Sequence, residues 1–418
     1  MTYVQRLVGR VRETQRDAIP LQQRAALEVS DAIGCILRGV DHPMVQRAAD
    51  GSRDPIEQAV RMQSMACHVD EFDSIHPASA TVPAAIVVPA VLSVAESLSC
   101  SGQRLLDAVQ CGYDVLTSVA VRFGGPMLYE RSWWPTSTFG ALGAAAAVGV
   151  LLDLDDDQLA NALGIAASSV GGLLSDDSFG DGHYLAAAEA AAYGAQAAVR
   201  AARGMNASWS LLDGPASRAF GTPTDDEPAG GGVEGCVFKW YPCARPLHGV
   251  IEGLVQLRRD GVDLASLARV EAAVHPNVMR FLSADAEVTG PADAAASLAF
   301  ATCATIRGRE SDPAFFREAR TSWDGPAPTF LLVPSSVGPF SWESRLTCTS
   351  TSGEVYEALG TPEESLDPQR LRDKFLANAS AGGLDRPAAA DLYATVLELP
   401  TTSDAGKSLA SLLRPDRS

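Results

Sequence analysis

Apolar residues recur at three- and four-residue intervals through most of the first half of the chain, the spacing that lines one face of a helix. Between Leu21 and Leu37 the repeat includes Leu27, Val29, Ile33 and Ile36, and residues 1–60 read as two or three helices. The pattern predicts a short helix from about Pro55 to Met65 and an apolar one over Ala84–Leu98. A long helix follows Ser101, whose hydroxyl suits an N-cap. Phe139–Leu154 is a helix of small residues, and Asp155–Leu174 opens on acids that the positive end of a helix dipole favours. His183–Gly204 closes on glycine, a common helix stop.

The rhythm changes after Gly221–Gly235, a stretch rich in Gly, Pro and Asp. Ala268–Val274, Thr329–Val333 and Ser344–Ser350 read as strands. Helices near His248–Asp260, Asp293–Gly308 and Asp312–Glu318 lie among them, and helical patterning returns from about Asp367. The predicted fold class is mostly α with an α+β part. A large all-α domain would hold both termini, residues 1–235 and 367–418, with a smaller α+β lid, residues 236–366, inserted. Residues 411–418 are expected to fray.

Composition adds bounds. The 418 residues allow two domains, and 46% hydrophobic with 20% charged residues is an ordinary soluble balance. Only 6% are aromatic, so Ala and Gly fill many packed positions and let helices approach closely. The formal net charge of −18 argues against nucleic acid or an anionic membrane as partner. It permits an anionic small-molecule substrate, because salt screens distant charge beyond roughly 10 Å. The eight cysteines form no CxxC pair and are expected to be reduced and mostly buried. The N-terminus has no apolar run before a cleavage site, and the Ala-rich stretches are interrupted by Gly, Asp or Ser. The expected location is the cytoplasm.

Candidate chemistry sits in polar segments between apolar helices. Cys67–Pro83 is acidic and carries two prolines, and within it stand Asp70, Glu71, Asp73, Ser74 and His76. Acids a few residues from a histidine can orient it and tune its pKa, so His76 could serve as acid or base. A solvated acidic loop with a capping histidine is the plainer alternative. Lys239, Arg245 and His248 lie within ten residues of one another and could clamp an anion. Alternatively they decorate a lid surface or bridge a dimer. Ser175, Asp176, Asp177, Ser178 and Asp181 precede His183 and read as an exposed loop, from which Asp177 could reach His183. His42 and His275 have no acidic cluster beside them and read as structural.

Six blocks in order carry a resemblance. They are His68-x-x-Glu71-Phe72-Asp73 with His76-Pro77 and Pro83-Ala84-Ala85; Gly112-Tyr113-Asp114-Val115; and Trp134-Pro135-Thr136-x-Thr138-x-Gly140-x-x-Gly143. Then come Ala160-x-Ala162-Leu163-Gly164-Ile165-Ala166 ending in Gly171-Gly172-Leu173; Ala190-Ala191-x-x-Gly194 with Arg203-Gly204; and Lys239-x-Tyr241-Pro242-Cys243 with Arg245 and His248. Lys374-Phe375 adds a further match. The chain resembles the MmgE/PrpD family of 2-methylcitrate dehydratases, cis-aconitate decarboxylases and related epimerases. The resemblance implies a homodimer, no metal or organic cofactor, and proton transfer beside a carbonyl or carboxylate. It places His76, Lys239, His183 and Asp73 as catalytic and Glu71, Ser74, Trp134, Thr136, Arg245 and His248 as substrate-binding.

Three positions depart from the family pattern. Trp134 stands where a histidine usually precedes Pro-Thr, His183 aligns with a lysine, and Ala244 replaces a histidine found in some members. A tricarboxylate needs several fixed cations to offset its desolvation. Trp133 and Trp134 instead offer flat faces to a larger, less charged or cationic body. The expectation is therefore a lyase or isomerase acting on a non-standard substrate of a specialised, secondary-metabolite pathway. A conventional dehydratase and a non-catalytic ligand-binding homologue are the alternatives.

Overall fold

The computed structural model describes residues 1–16, 19–48, 54–174, 179–224, 231–323, 325–335, 339–406 and 409. The expected acidic segment Ser175–Ser178 and the expected frayed tail 411–418 lie outside the described residues. The first half forms helices α1 (Tyr3–Arg16), α2 (Gln22–Gly39), α3 (Pro43–Arg47), α4 (Pro55–His68) and α5 (Pro83–Ala95). They continue as α6 (Gly102–Arg122), α7 (Pro135–Leu151), α8 (Asp156–Ala167) and α9 (Asp181–Ala202). Every residue of α5 and α7 is buried, so these two, apolar on all sides, form the centre of the bundle. Ser101 caps α6 by accepting from the Arg104 amide, and Asp155 with Gln158 closes a capping box on α8.

Small residues set the closeness of the bundle. Gly112 on α6 and Gly143 on α7 meet so tightly that a Cβ on either would lie 2.9 Å from the other's carbonyl oxygen. Larger side chains there would force the two helices apart.

The α+β part holds α10 (Arg245–Arg259), α11 (Pro276–Met279), α12 (Pro291–Ala294), α13 (Leu298–Ile306) and α14 (Pro313–Glu318). Its sheet contains β1 (Leu267–Val274), β2 (Thr329–Pro334), β3 (Ser344–Ser350) and β4 (Val355–Gly360) in the order β2-β1-β3-β4. β1 pairs parallel with β2 and antiparallel with β3, and β3 pairs antiparallel with β4, so the sheet is mixed. The edge strand β4 was not expected from the sequence. The helix expected over Asp293–Gly308 is broken, because Ser297 caps α13 by accepting from the Phe300 amide. The chain ends in α15 (Pro368–Ala381) and α16 (Arg386–Leu397), which pack on α2.

The protein is 59% helical with one small mixed sheet, mostly α with an α+β part. Its largest apolar core joins the N-terminal helices to Phe375 and Leu392, and a second runs from Tyr241 to Cys348. A small cluster of Phe238, Trp240 and Leu371 lies apart from both. All eight cysteines are unpaired and buried. Among the described residues no helix is long and apolar enough to cross a membrane.

Candidate active site

The segment after α4 cannot continue as helix, because Glu71 takes φ +50°, a left-handed conformation that a non-glycine side chain rarely adopts. Such a residue costs on the order of 1–3 kcal/mol and persists only where its surroundings over-determine it. Here they do. Ile75 and Val237 exchange backbone hydrogen bonds of 3.0 and 2.8 Å, tying the loop to the strand-like segment that carries Lys239. Lys374 on α15 donates to the carbonyls of Phe72 at 2.6 Å and Lys239 at 3.1 Å, and pairs with Asp31 at 2.7 Å. Asp70 is gripped by Arg317 at 2.6 Å and Arg38 at 3.3 Å.

These ties turn four side chains toward one point. Lys239 Nζ donates to Glu71 Oε2 at 2.8 Å. His68 Nε2 lies 3.2 Å and His183 Nε2 3.8 Å from Glu71 Oε1. His68 Nδ1 bonds to Asp73 Oδ1 at 2.9 Å, which fixes the ring. Lys239, Glu71, His68 and Asp73 are all buried. Glu71 Oε1 and His68 Nε2 meet only in that 3.2 Å ion pair, without hydrogen-bond geometry, and Asp73 Oδ2 has no hydrogen-bond partner. Buried polar atoms left this way are costly and point to a binding or reacting role.

The charges stabilise each other. Burial alone would push the Glu71 carboxyl up, but His68 and Lys239 hold it below the usual carboxylate range. Asp73 is likewise lowered against its burial, chiefly by His68. Burial opposes charge on His68, yet Asp73 and Glu71 outweigh it and raise the pKa. Lys239 is raised for the same reason by Glu71 and Asp73. His183 behaves differently: burial dominates and lowers it to about 3, so the ring is neutral at pH 7.

The ring stack explains that burial. Trp134, at the N-cap of α7, lies over His183 at 3.8 Å, and Phe179 covers the other face at 4.2 Å. Tyr184 stands edge-on to His68 and His183. Trp134 is held by its amide, which donates to the Gly172 carbonyl at 3.0 Å. Gly172 has φ +139°, and a Cβ there would lie 2.5 Å from Ser137 Oγ, so glycine is required for this approach.

His68, Glu71, Trp134, His183, Lys239, Ala244 and Arg245 line one cleft, with Tyr129, Phe179, Phe281 and Trp342 among its other walls. Arg245 opens α10, whose N-terminal dipole favours an anion. Its Nη2 donates to Glu364 at 2.8 Å, while Nε and Nη1 have no partner although the side chain is buried. A larger hollow lies near the N-terminus, lined by Tyr3, Arg6 and Arg122, but it holds no such cluster.

Several expected site residues are used elsewhere. His76 is fully buried outside the cleft lining, its Nδ1 against Ser79 Oγ at 2.9 Å and its amide on the Thr81 carbonyl. Ser74 donates to Glu28 at 2.5 Å, and Thr136 Oγ1 accepts from the Val82 amide at 3.1 Å. His248 is buried against Tyr241, and burial followed by Arg245 and Lys239 holds it neutral. His42 and His275 cap short helices through their Nδ1 atoms. His68, Tyr184 and Tyr129 were not expected. The spacing His68-x-x-Glu71-x-Asp73 was the available signal for His68.

His68, Glu71 and His183 present ligand atoms within 4.8 Å of one another, a set that could accept a metal ion. A divalent ion would have to displace the proton that His68 holds and share Glu71 with the Lys239 ammonium, and both oppose it.

A family model described as the MmgE/PrpD N-terminal domain matches residues 5–222. The chain is 30% identical over 176 residues to "cis-aconitate decarboxylase-like protein oryM" of Aspergillus oryzae, covering 36% of each chain. It is 28% identical over 230 residues to "cis-aconitate decarboxylase" of Aspergillus terreus, covering 49% of this chain and 46% of that one. The chain thus spans less than half the length of these curated relatives.

Proposed function

The chain belongs to the MmgE/PrpD family, and from that premise and the geometry of the cleft we propose that it is a lyase- or isomerase-type enzyme that moves a proton beside a carboxylate or carbonyl. Glu71 carries the proposal. It is a buried carboxylate in a strained backbone position, kept ionised by Lys239 and His68, with Oε1 held only by a 3.2 Å ion pair to His68 that lacks hydrogen-bond geometry.

In the proposed reaction Arg245 holds the substrate carboxylate through its two unused donors. Glu71 Oε1 takes the proton from the adjacent carbon. The electron pair moves onto the carboxyl or carbonyl, and the Lys239 ammonium and His68 imidazolium stabilise the charge that develops. His68 then returns a proton, either to a departing hydroxyl, giving water loss, or to the carbon. Decarboxylation would use the last step alone, after carbon dioxide leaves. Neutral His183, clamped between rings, orients Glu71 and keeps water out. The base is therefore Glu71 in this proposal, with His76 left in the loop's own hydrogen bonds.

The names of the relatives favour a second reading, a conventional decarboxylase of cis-aconitate. Trp134, neutral His183 and Ala244 weigh against it. We further propose a cytoplasmic homodimer in a specialised pathway, checked for the dimer by light scattering. The test of function is incubation in deuterated water with a panel of hydroxy and unsaturated acids, followed by NMR. Deuterium entry beside a carboxyl, or product, is expected for at least one acid. Neither across the whole panel contradicts the proposal.

A further inference from the structure

Each cation at the cleft already faces an acid: Lys239 faces Glu71, His68 faces Asp73, and Arg245 faces Glu364. The first two pairs are buried and locked. Adding three substrate carboxylates would leave most of them without a counter-charge in a site that excludes water. Arg245 is different. Glu364 is 56% exposed and engages only Nη2, so Nε and Nη1 of a buried guanidinium remain without partners. The cleft therefore provides for one anionic group.

The walls provide for the rest of the molecule. Trp134, Phe179, Tyr129, Phe281 and Trp342 present ring surface to a narrow cleft of about 40 Å³. That is well below the roughly 300–1,000 Å³ common for small-molecule sites, so the body of a bound molecule would enter by parting these rings. The position aligned with a family lysine is a neutral histidine held between two rings at 3.8 and 4.2 Å. The position aligned with a family histidine is Ala244, which adds no charge.

We infer that the substrate is a monocarboxylic acid with an apolar, ring-sized or conjugated body, bound by Arg245 and walled by Trp134 and Phe179. This deepens the proposed function and rests on its placement of the site. Trp134 is then the specificity-determining residue: it brings no basic or chargeable group and supplies a face on which an unsaturated chain or ring can lie.

The test is calorimetric binding of trans-cinnamate, phenylacetate and sorbate against cis-aconitate and citrate, with cinnamamide as the uncharged control. At least one monoacid should bind about tenfold tighter than either tricarboxylate, and the amide should lose about tenfold against cinnamate. Arg245→Gln should weaken the best monoacid about tenfold, and Trp134→His should narrow the preference over cis-aconitate. If Arg245→Gln does not fold, the acid-to-amide ratio on the wild-type protein decides the same point. Tighter binding of a tricarboxylate, no monoacid binding up to about 10 mM, or amide and acid binding alike overturns the inference. Monoacid binding without any deuterium exchange removes the proton-transfer proposal and leaves this one standing. Turnover of a tricarboxylate does the reverse.

Discussion

Replacing Lys374 by Met tests whether one ammonium holds the two halves of the site in register. The side chain is buried, and its Nζ serves Asp31, the Phe72 carbonyl and the Lys239 carbonyl while lying 4.1 Å over the Phe72 ring. Methionine fills similar volume but makes none of the polar contacts. Asp31 is left buried without its cation, and breaking a buried pair costs about 3–5 kcal/mol. Each stranded carbonyl adds up to ~1–3 kcal/mol where no water reaches it. Against a typical total of about 5–15 kcal/mol, the variant should be severely destabilised. Urea unfolding followed by circular dichroism at pH 7 measures the loss. Adding Asp31→Asn should restore part of it, because the orphaned charge is then gone. A single variant within about 1 kcal/mol of wild type would refute the reasoning.

Glu28 is buried, bonded to Ser74 and Arg24, and raised by burial to about 7. A carboxyl with a raised folded pKa takes up a proton on folding between its unfolded value and about 7, so stability falls as pH rises through that window. Glu28→Gln should flatten this slope, worth about 3 kcal/mol in all, and an unchanged pH profile would contradict it. His68 follows the same sign: its raised pKa contributes stability below the unfolded value and loses it as pH rises through the folded one. Asp73→Asn removes the main cause, so carbon-13 NMR should show the His68 titration moving to lower pH; a move upward would oppose the charge assignment. Gly143→Ala would put a Cβ 2.8 Å from the Leu116 Cβ, and the melting temperature should drop by the equivalent of about 1–3 kcal/mol. Full retention would mean that the α6–α7 crossing is looser than described.

Helical period made most of the bundle legible, because amphipathic spacing survives in sequence whatever the tertiary context. α2 matches the Leu21–Leu37 repeat and Ser101 caps α6 as its side chain suggested, whereas the helix expected over Asp155–Leu174 ends at Ala167. β4 was hidden because it is a short edge strand whose inward face, Tyr356 and Ala358, is only partly buried while Val355 and Leu359 face outward, so the sequence shows no clean alternation. The break before α13 was hidden because both sides of Ser297 are equally apolar. Composition showed that Cys67–Pro83 was a polar loop pinned in an apolar setting, and the block order drew Glu71, Trp134, His183, Lys239 and Arg245 together. It did not separate His68 from His76. Both stand beside acids in sequence, and only the left-handed turn at Glu71 decides which ring faces the cleft. Nor does a sequence show that His183 is neutral, since that follows from the rings stacked on either side of it.

Glu71→Gln is the most direct test of Glu71 as the base. The variant keeps the shape of the side chain and removes the carboxylate that would take the proton. With an acid that exchanges on the wild-type protein, deuterium incorporation should fall by at least about 100-fold while circular dichroism stays unchanged. Exchange at the wild-type rate in a folded Glu71→Gln protein would contradict the central claim.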